Sequence, residues 1–357
     1  MYSGMGKYNV VDLFSGCGGF SYGFEQEGFN VVLGVDNWDT ALETFEYNHK
    51  NSSILNLDLH KKESIKTIKN EVKEHRIDVI IAGPPCQGFS LTGTRDKNDK
   101  RNSLFESVFE LAKTLKPKFL VIENVPGLLT LYQGDTKEKI ISAGEELGYH
   151  MDYKILYAPD YGVPQIRKRV FFVGSKTGKF EFPKITHKKN GYVTCKEAIG
   201  DLPSLAKKTG KEEADYQAKA TSKYQETMRK GSKKLLNHVR TNHQQHVIDV
   251  IRKVPEGGNH KDLPKGVGDS RKFNEAWTRY HSNKPSKTID TGHGNHFHYK
   301  HDRVPTVREN ARLQSFPDKF KFFGPKTKQN VQVGNAVPPI LGKVMARRIK
   351  KYLDESV

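Results

Sequence analysis

The stretch Ile77-Asp78-Val79-Ile80-Ile81-Ala82-Gly83-Pro84-Pro85-Cys86-Gln87-Gly88-Phe89-Ser90 decides how this chain is read. Its first six residues are almost wholly apolar, the pattern of a strand buried on both faces in a parallel sheet. Proline fixes φ and donates no backbone hydrogen, so Pro84 and Pro85 end the strand and stiffen the loop behind it. Cys86 then stands at the strand's carboxyl end, where open α/β sheets place their ligands. A cysteine in that position is commonly a buried packing residue. It becomes a nucleophile when its surroundings favour the thiolate. The flanking sequence has to decide between the two.

Working outward, strand-like and helix-like segments alternate through the first half. Tyr8 to Phe14 reads as a strand, Phe20 to Glu27 as a short helix, Asn30 to Val35 as a strand and Thr40 to Asn48 as a helix. Ile65, Ile68 and Val72 mark one face of a charged helix. Ser103 and Glu106 form an S-x-x-E capping box that opens a helix with Leu104, Val108, Leu111 and Leu115 inward. Phe119 to Ile122, Lys137 to Leu147 and Val170 to Gly174 continue the alternation as strand, helix and strand. The fold expected is α/β, with a parallel, doubly wound sheet. From Lys184 to about Lys300 the pattern gives way to Gly, Asn, His and Lys, which predicts a second, smaller, loop-rich domain. Val337 to Leu353 resumes a helix after Pro338-Pro339 and is expected to return to the first domain. The boundaries drawn are 1–183 completed by 329–357, and 184–328.

At 357 residues the chain is long enough for two domains. Lys and Arg outnumber Asp and Glu by 59 to 41, a formal charge of +18. Between Lys184 and Lys287 there are 23 Lys and Arg against 11 Asp and Glu, so about two thirds of the excess lies in one region. A charged surface would explain that, but interleaved Tyr216, Tyr224, Phe273, Trp277 and Tyr280 favour a footprint for phosphate backbone. Three cysteines, Cys17, Cys86 and Cys195, indicate no disulfide framework and point to a reducing, cytoplasmic setting. No apolar run approaches a membrane span and the N-terminus shows no signal peptide, so no membrane association is expected.

Asp12-Leu13-Phe14-Ser15-Gly16-Cys17-Gly18-Gly19 follows the first strand and opens the first helix. Glycines there let backbone approach a ligand closely. The nicotinamide fingerprint G-x-G-x-x-G fails, because Ser21 stands where the third glycine belongs. A ligand without a pyrophosphate, S-adenosylmethionine, also suits such a turn. Asp36 ends the second strand, where a carboxylate can accept both ribose hydroxyls. Asp58, near the expected end of the third strand, could accept from an adenine amino group. Glu123 follows the strand ending Val121-Ile122, level with Cys86, where burial would favour its protonated form and suit it as an acid. In Gln165-Ile166-Arg167-Lys168-Arg169, ahead of the final strand, alternation aims Arg167 and Arg169 to one side. His293, His296, His298 and His301 cluster, but without cysteines nearby they read as structural or phosphate contacts, and no metal is expected.

Taken together, Asp12–Gly19, Gly83–Ser90, Glu123–Val125, Gln165–Arg169, Arg308-Glu309-Asn310-Ala311-Arg312-Leu313-Gln314-Ser315-Phe316-Pro317-Asp318 and Gly334-Asn335-Ala336-Val337-Pro338-Pro339 resemble, in order, the blocks of the bacterial cytosine-5 DNA methyltransferases of restriction–modification systems. The resemblance spans nearly the whole chain. It implies a doubly wound, Rossmann-like methyltransferase sheet dependent on S-adenosylmethionine, with Lys184–Lys287 in the target-recognition position. Asp36 departs from the glutamate of many members by one methylene.

What the resemblance implies is specific. Cys86 would attack carbon 6 of a cytosine, Glu123 would hydrogen-bond or protonate ring N3, and Arg167 and Arg169 would hold the O2 edge. Arg167 would also orient Glu123. Phe14, Ser15, Gly16, Cys17, Gly18, Gly19, Asp36, Asn37, Trp38, Asp58, Leu59, Pro85, Asn335 and Val337 would line the cofactor pocket. Because these atoms are unreachable in a duplex, the base must be flipped out. The stretch Leu91 to Asn102 would close on it, and Gln87, Ser90 and Arg95 would contact DNA. The expected partner is double-stranded DNA, with a cognate endonuclease encoded alongside, and the chain is expected to act as a monomer. The alternatives are a cytosine-5 methyltransferase acting on transfer RNA and a non-catalytic nucleic-acid-binding protein. The long basic insert with Gln87-Gly88-Phe89-Ser90 argues against the first, and Cys86 with Glu123 at matching strand ends against the second.

Overall fold

The structure, a computed structural model, describes residues 7–85, 104–206, 208–268, 271, 275–291 and 294–356. The chain divides into two compact units. The first comprises Met1–Tyr157, Lys168–Ile185 and Ala336–Val357; the second comprises Ala158–Arg167 and Thr186–Asn335. The second unit thus takes in 158–167 and 329–335 besides the region drawn from sequence.

The first unit is built from β1 (Asn9–Leu13), α1 (Gly19–Glu25), β2 (Asn30–Asp36), α2 (Asp39–Asn48), β3 (Ser53–Asn56), α3 (Lys62–Glu71), β4 (Val79–Ala82), α4 (Leu104–Leu115), β5 (Phe119–Asn124), α5 (Asp135–Glu146), β6 (His150–Tyr157) and β7 (Lys168–Ser175). Its seven strands form one sheet in the order β3-β2-β1-β4-β5-β7-β6. Side-chain alternation sorts the buried strand residues onto two faces. Val11, Leu13, Leu33, Val35, Ile80, Ala82, Leu120, Ile122, Val170 and Phe172 share a core with Ile68, Val108, Leu111 and Ile140 of α3, α4 and α5. Residues of the other parity meet different helices: Phe171 touches Phe20 of α1, and Phe119 touches Tyr352 near the C-terminus. The doubly wound architecture follows from those two apolar faces.

One strand departs from the parallel expectation. β7 runs antiparallel to both β5 and β6. The connection Ala158–Arg167 between β6 and β7 carries only a turn of 3₁₀-helix, too short for the crossover that parallel neighbours require. A further correction concerns Arg169, which lies inside β7 opposite Leu156 and not ahead of the strand. Ser103, half of the expected capping box, falls outside the described residues. Leu104, Val108 and Leu111 are buried as expected, and Leu115 is partly buried against the same core.

The last helix of the first unit starts at Pro339, where a missing N–H costs nothing, and its buried face is Leu341, Met345, Ile349 and Leu353. It packs against α1 at two glycines. A Cβ on Gly23 would lie 2.4 Å from Lys343 N, and one on Gly342 would lie 2.5 Å from Phe20 O.

The second unit holds α6 (Cys195–Ile199), β8 (Gly210–Ala214), α7 (Lys223–Arg229), β9 (Leu235–Val239), α8 (Gln245–Lys253), β10 (Thr278–Arg279), β11 (His296–Phe297), α9 (Val307–Leu313) and α10 (Lys326–Asn335); the helix Pro339–Glu355 above is then α11. Its centre is polar and buried. Arg312 donates to Asp318 at 2.8 and 2.7 Å and to Asp201 at 2.6 Å. Arg308 donates to the carbonyls of Leu236 and Pro317 at 2.8 and 2.9 Å. Arg303 grips Glu309 with two bonds of 2.7 Å. Burial alone would push the Glu309 carboxyl up, but the Arg303 guanidinium overrides it and holds the carboxyl well below its ordinary range. His298 stands 3.7 Å from Glu309, the His301 ring lies tilted against that of His298 with centres 4.5 Å apart, and His296 lies in β11. His293 is outside the described residues. No helix among the described residues is long and apolar enough to cross a membrane.

Candidate active site

The C-terminal ends of β1, β2, β4 and β5 share one edge of the first unit's sheet, since these strands pair in parallel. Because β7 is antiparallel, its beginning, not its end, comes to that edge: Asn124 pairs with Val170, and Glu123 with Phe171. The residues expected at strand ends are therefore gathered here by topology.

The glycine-rich loop leaves β1 through three left-handed residues, Phe14 (φ 57°), Gly16 (φ 52°) and Gly18 (φ 89°). Ser15 N–H donates to Val35 O at 3.0 Å, which ties the loop to β2. The two glycines are required for different reasons. A Cβ at Gly16 would meet nothing within 4 Å, so that side of the loop is open. A Cβ at Gly18 would lie 2.3 Å from Cε1 of His49, so that side is closed. Asp36 accepts from Gly16 N–H at 2.8 Å and from Trp38 N–H at 3.0 Å. Burial raises its pKa, while the N–H donors of Gly16, Trp38 and Asn37 oppose the rise. The carboxylate keeps a further acceptor site for a ligand. Asp58 Oδ1 accepts from His60 N–H at 3.0 Å at the turn into α3, and Leu59 beside it is buried. Trp38 is half-buried, Asn37 and Pro85 are exposed. An open, backbone-lined cradle beside a carboxylate fits a nucleoside carrying an amino acid.

Cys17 is buried and burial pushes its thiol up to about 12, which makes it inert as a nucleophile. Asn335 is exposed at the end of α10 in the second unit, whereas Val337 is buried in the first.

Glu123 is buried at the end of β5, and Arg169 Nε lies 2.9 Å from its Oε1. The sequence reading had not assigned that ion pair to Arg169. Gly83 N–H donates to Leu13 O at 3.2 Å, and a Cβ there would sit 3.8 Å from Glu123 Oε2. The Gly83-Pro84-Pro85 loop thus passes directly beside the carboxylate. Asn124, a site residue missed in the sequence, donates to Pro84 O at 3.3 Å and accepts from Val125 N–H at 2.7 Å. It clamps the two loops together, and its only signal was its place next to Glu123. Arg167 is buried in the second unit and donates to Gly334 O at 3.0 Å. Cys86, Gln87, Ser90 and Arg95 lie outside the described residues.

Asp12 was the other residue missed. Its signal was a lone carboxylate in the apolar run Val10-Val11-Asp12-Leu13. It is fully buried, and burial pushes its carboxyl up to about 8.

Comparison with known proteins agrees with this architecture. The model of the C-5 cytosine-specific DNA methylase family matches residues 8–351. The chain is 37% identical to the type II methyltransferase M.DdeI of Desulfomicrobium norvegicum, over 97% of this chain and 89% of that one. It is 38% identical to the type II methyltransferase M1.HphI of Haemophilus parahaemolyticus, over 96% and 86%. Among solved structures it superposes on a protein described as a DNA modification methyltransferase encoded within an E. coli prophage, with a TM-score of 0.78, 29% identity and coverage of 98% and 100%.

Proposed function

The chain belongs to the C-5 cytosine-specific DNA methylase family, and from that premise we propose how its own residues carry the reaction and where it acts. The protein is a DNA cytosine-5 methyltransferase that uses S-adenosylmethionine. When bound, that donor supplies an electrophilic methyl group. Cys86 adds through its sulfur to carbon 6 of a flipped-out cytosine, and the electron pair of the 5,6 double bond moves to carbon 5. Glu123, in its protonated form, donates a hydrogen bond or a proton to N3, so that negative charge does not build up on the ring. Carbon 5 would take the methyl group as the donor's sulfonium–methyl bond breaks and the donor leaves as S-adenosylhomocysteine; water then removes the proton from carbon 5, and the bond between carbon 6 and the Cys86 sulfur breaks to release the thiolate. Arg169 holds the Glu123 carboxylate in place, and Arg167 with Arg169 addresses the O2 edge. The donor would be held by Phe14 to Gly19, Asp36 to Trp38, Asp58, Leu59, Pro85, Asn335 and Val337.

The observation that carries this reading is the buried Glu123 side chain beside Gly83-Pro84-Pro85, the three residues that precede Cys86 in the sequence. The basic region 184–328 is assigned to target recognition, and Gln87, Ser90 and Arg95 to contacts around the flipped base. The names of the relatives support a place in a restriction–modification system, with a cognate endonuclease as partner. A cytoplasmic monomer is the working state.

Base-resolution sequencing of 5-methylcytosine in plasmid DNA from cells expressing the chain, beside a Cys86→Ala control, tests this directly. Near-complete modification at one short motif, absent in the control, is expected. Methylation that survives in the control removes Cys86 as the nucleophile. An unmethylated plasmid from a soluble, donor-binding protein would shift the substrate to RNA.

A further inference from the structure

Beneath the glycine-rich loop lies a buried polar chain that the reaction does not use. Asp12 is the last residue but one of β1, just before the loop; Ser21 sits in α1, just after it; His49 caps the C-terminus of α2. All three are essentially inaccessible to solvent. His49 stacks on Phe45 with ring centres 4.0 Å apart, and its ring is the floor against which Gly18 rests. His49 Nδ1 faces the carbonyl of Phe45 at 3.1 Å, and its Nε2 faces Ser21 Oγ at 3.1 Å. Ser21 Oγ is also 3.3 Å from Gly18 O and hydrogen-bonded to Asp12. Asp12 Oδ2 is buried with no hydrogen-bond partner among the described residues.

Counting protons orders this cluster. The carbonyls of Phe45 and Gly18 both hydrogen-bond the ring and can only accept; with the hydrogen assigned to Nδ1, against Phe45, Nε2 is left to accept. The single Ser21 hydroxyl proton then faces His49 Nε2, Gly18 O and the Asp12 carboxylate. When Asp12 is protonated it becomes a donor to Ser21 Oγ and one competing acceptor disappears. When it is ionised, a buried charge is left short of donors. The hydroxyl and the backbone N–H of Ser21 offset part of that cost, less than burial imposes, and the other surrounding groups do not relieve it. Asp36 of β2 adds repulsion, Cys17 of the loop is a buried neutral thiol, and Gly34 and Ile81 pair with Asp12 from β2 and β4. Glu25 of α1 lies 4.0 Å from His49 Nε2, and Tyr22 packs edge-on against the ring. Burial, the largest cause, pushes Asp12 up to about 8 and pushes His49 down to about 4. The pair is thus neutral at neutral pH.

We propose that Asp12, Ser21 and His49 are positioning residues that hold the glycine-rich loop in its donor-binding shape, and that ionisation of Asp12 loosens that hold and weakens donor binding. The sign follows from the buried acid. Asp12 keeps its proton in the folded protein up to about pH 8, so the network is complete below that pH and is lost as pH rises through it. The inference rests on the loop being the donor site.

The test is calorimetric binding of S-adenosylhomocysteine, the donor without its methyl group, to the full chain from about pH 6.5 to 9. Wild type, Ser21→Ala and Asp12→Asn are compared, with KM for the donor and kcat measured separately. Ser21→Ala should weaken binding about tenfold and raise KM for the donor alike, with kcat at saturation little changed. Asp12→Asn, which keeps the shape and cannot ionise, should remove the weakening that wild type shows above pH 8; the amino group of the ligand titrates identically in both. Equal affinities and identical pH profiles in all three proteins would overturn the proposal. A wild type that fails to bind S-adenosylhomocysteine at all would instead overturn the donor-site reading beneath it.

Discussion

Gly16 and Gly18 stand two residues apart in one loop, yet the structure sets them very different tolerances. Both have positive φ, which a side chain disfavours by roughly 1–2 kcal/mol. At Gly16 the added methyl meets open space, so Gly16→Ala should lower stability by only about 1 kcal/mol and act mainly on donor binding. At Gly18 it would be driven into His49 and Phe45, both held by stacking, so Gly18→Ala should cost about 3 kcal/mol or more. Urea unfolding of the two variants checks this, and equal losses would contradict the packing described. The same scale shows the reach of sequence reasoning. That glycines follow β1 was legible from spacing. That one of them lies on a histidine 31 positions later was not, because nothing local links Gly18 to His49. Arg169 repeats the lesson: its charge was visible, but its ion pair with Glu123 depends on which strand lies beside β5.

Among the elements, β7 and α11 matter most for the site. Helix–strand alternation suggested an all-parallel sheet, and it does not report strand direction. The short Ala158–Arg167 link makes β7 antiparallel and so delivers its first residues to the edge where Glu123 sits. α11 was legible as an apolar stripe after Pro338-Pro339, and it lies in the first unit. Its close approach to α1 through Gly23 and Gly342 was not legible, since a glycine in a helix carries no mark of what it faces. Because α1 follows the glycine-rich loop directly, α11 supports the site from behind. Ile349→Ala, in its fully buried row, should destabilise the protein by about 2–5 kcal/mol. Lys351→Ala on the exposed face should stay within about 0.5 kcal/mol. Thermal unfolding of both variants distinguishes a packed helix from a peripheral one.

For the whole molecule, charge and core are distributed unequally. The region 184–287 carries net positive charge on exposed side chains such as Lys184, Lys188 and Lys189. If it meets DNA phosphates, affinity should fall by at least about tenfold between roughly 50 and 200 mM salt. Neutralising Lys188 and Lys189 together should lower the slope of log affinity against log salt by about one unit per lost contact. Fluorescence anisotropy with a labelled duplex measures both, and a salt-independent affinity would refute a phosphate footprint. The second unit holds a centre made of Arg303, Arg308 and Arg312 with Glu309, Asp201 and Asp318 that its polar composition concealed, because hydropathy patterns register apolar burial and miss buried ion pairs. The sequence by itself determined the alternation of strands and helices, the glycine turn, the chemistry offered at strand ends and the family those blocks resemble, since each is written in contiguous residues. Only the tertiary structure decided the direction of β7, the partner of Glu123 and the chain from Asp12 through Ser21 to His49. Those contacts join segments far apart in sequence, and they exist because packing, not local propensity, brings their elements together.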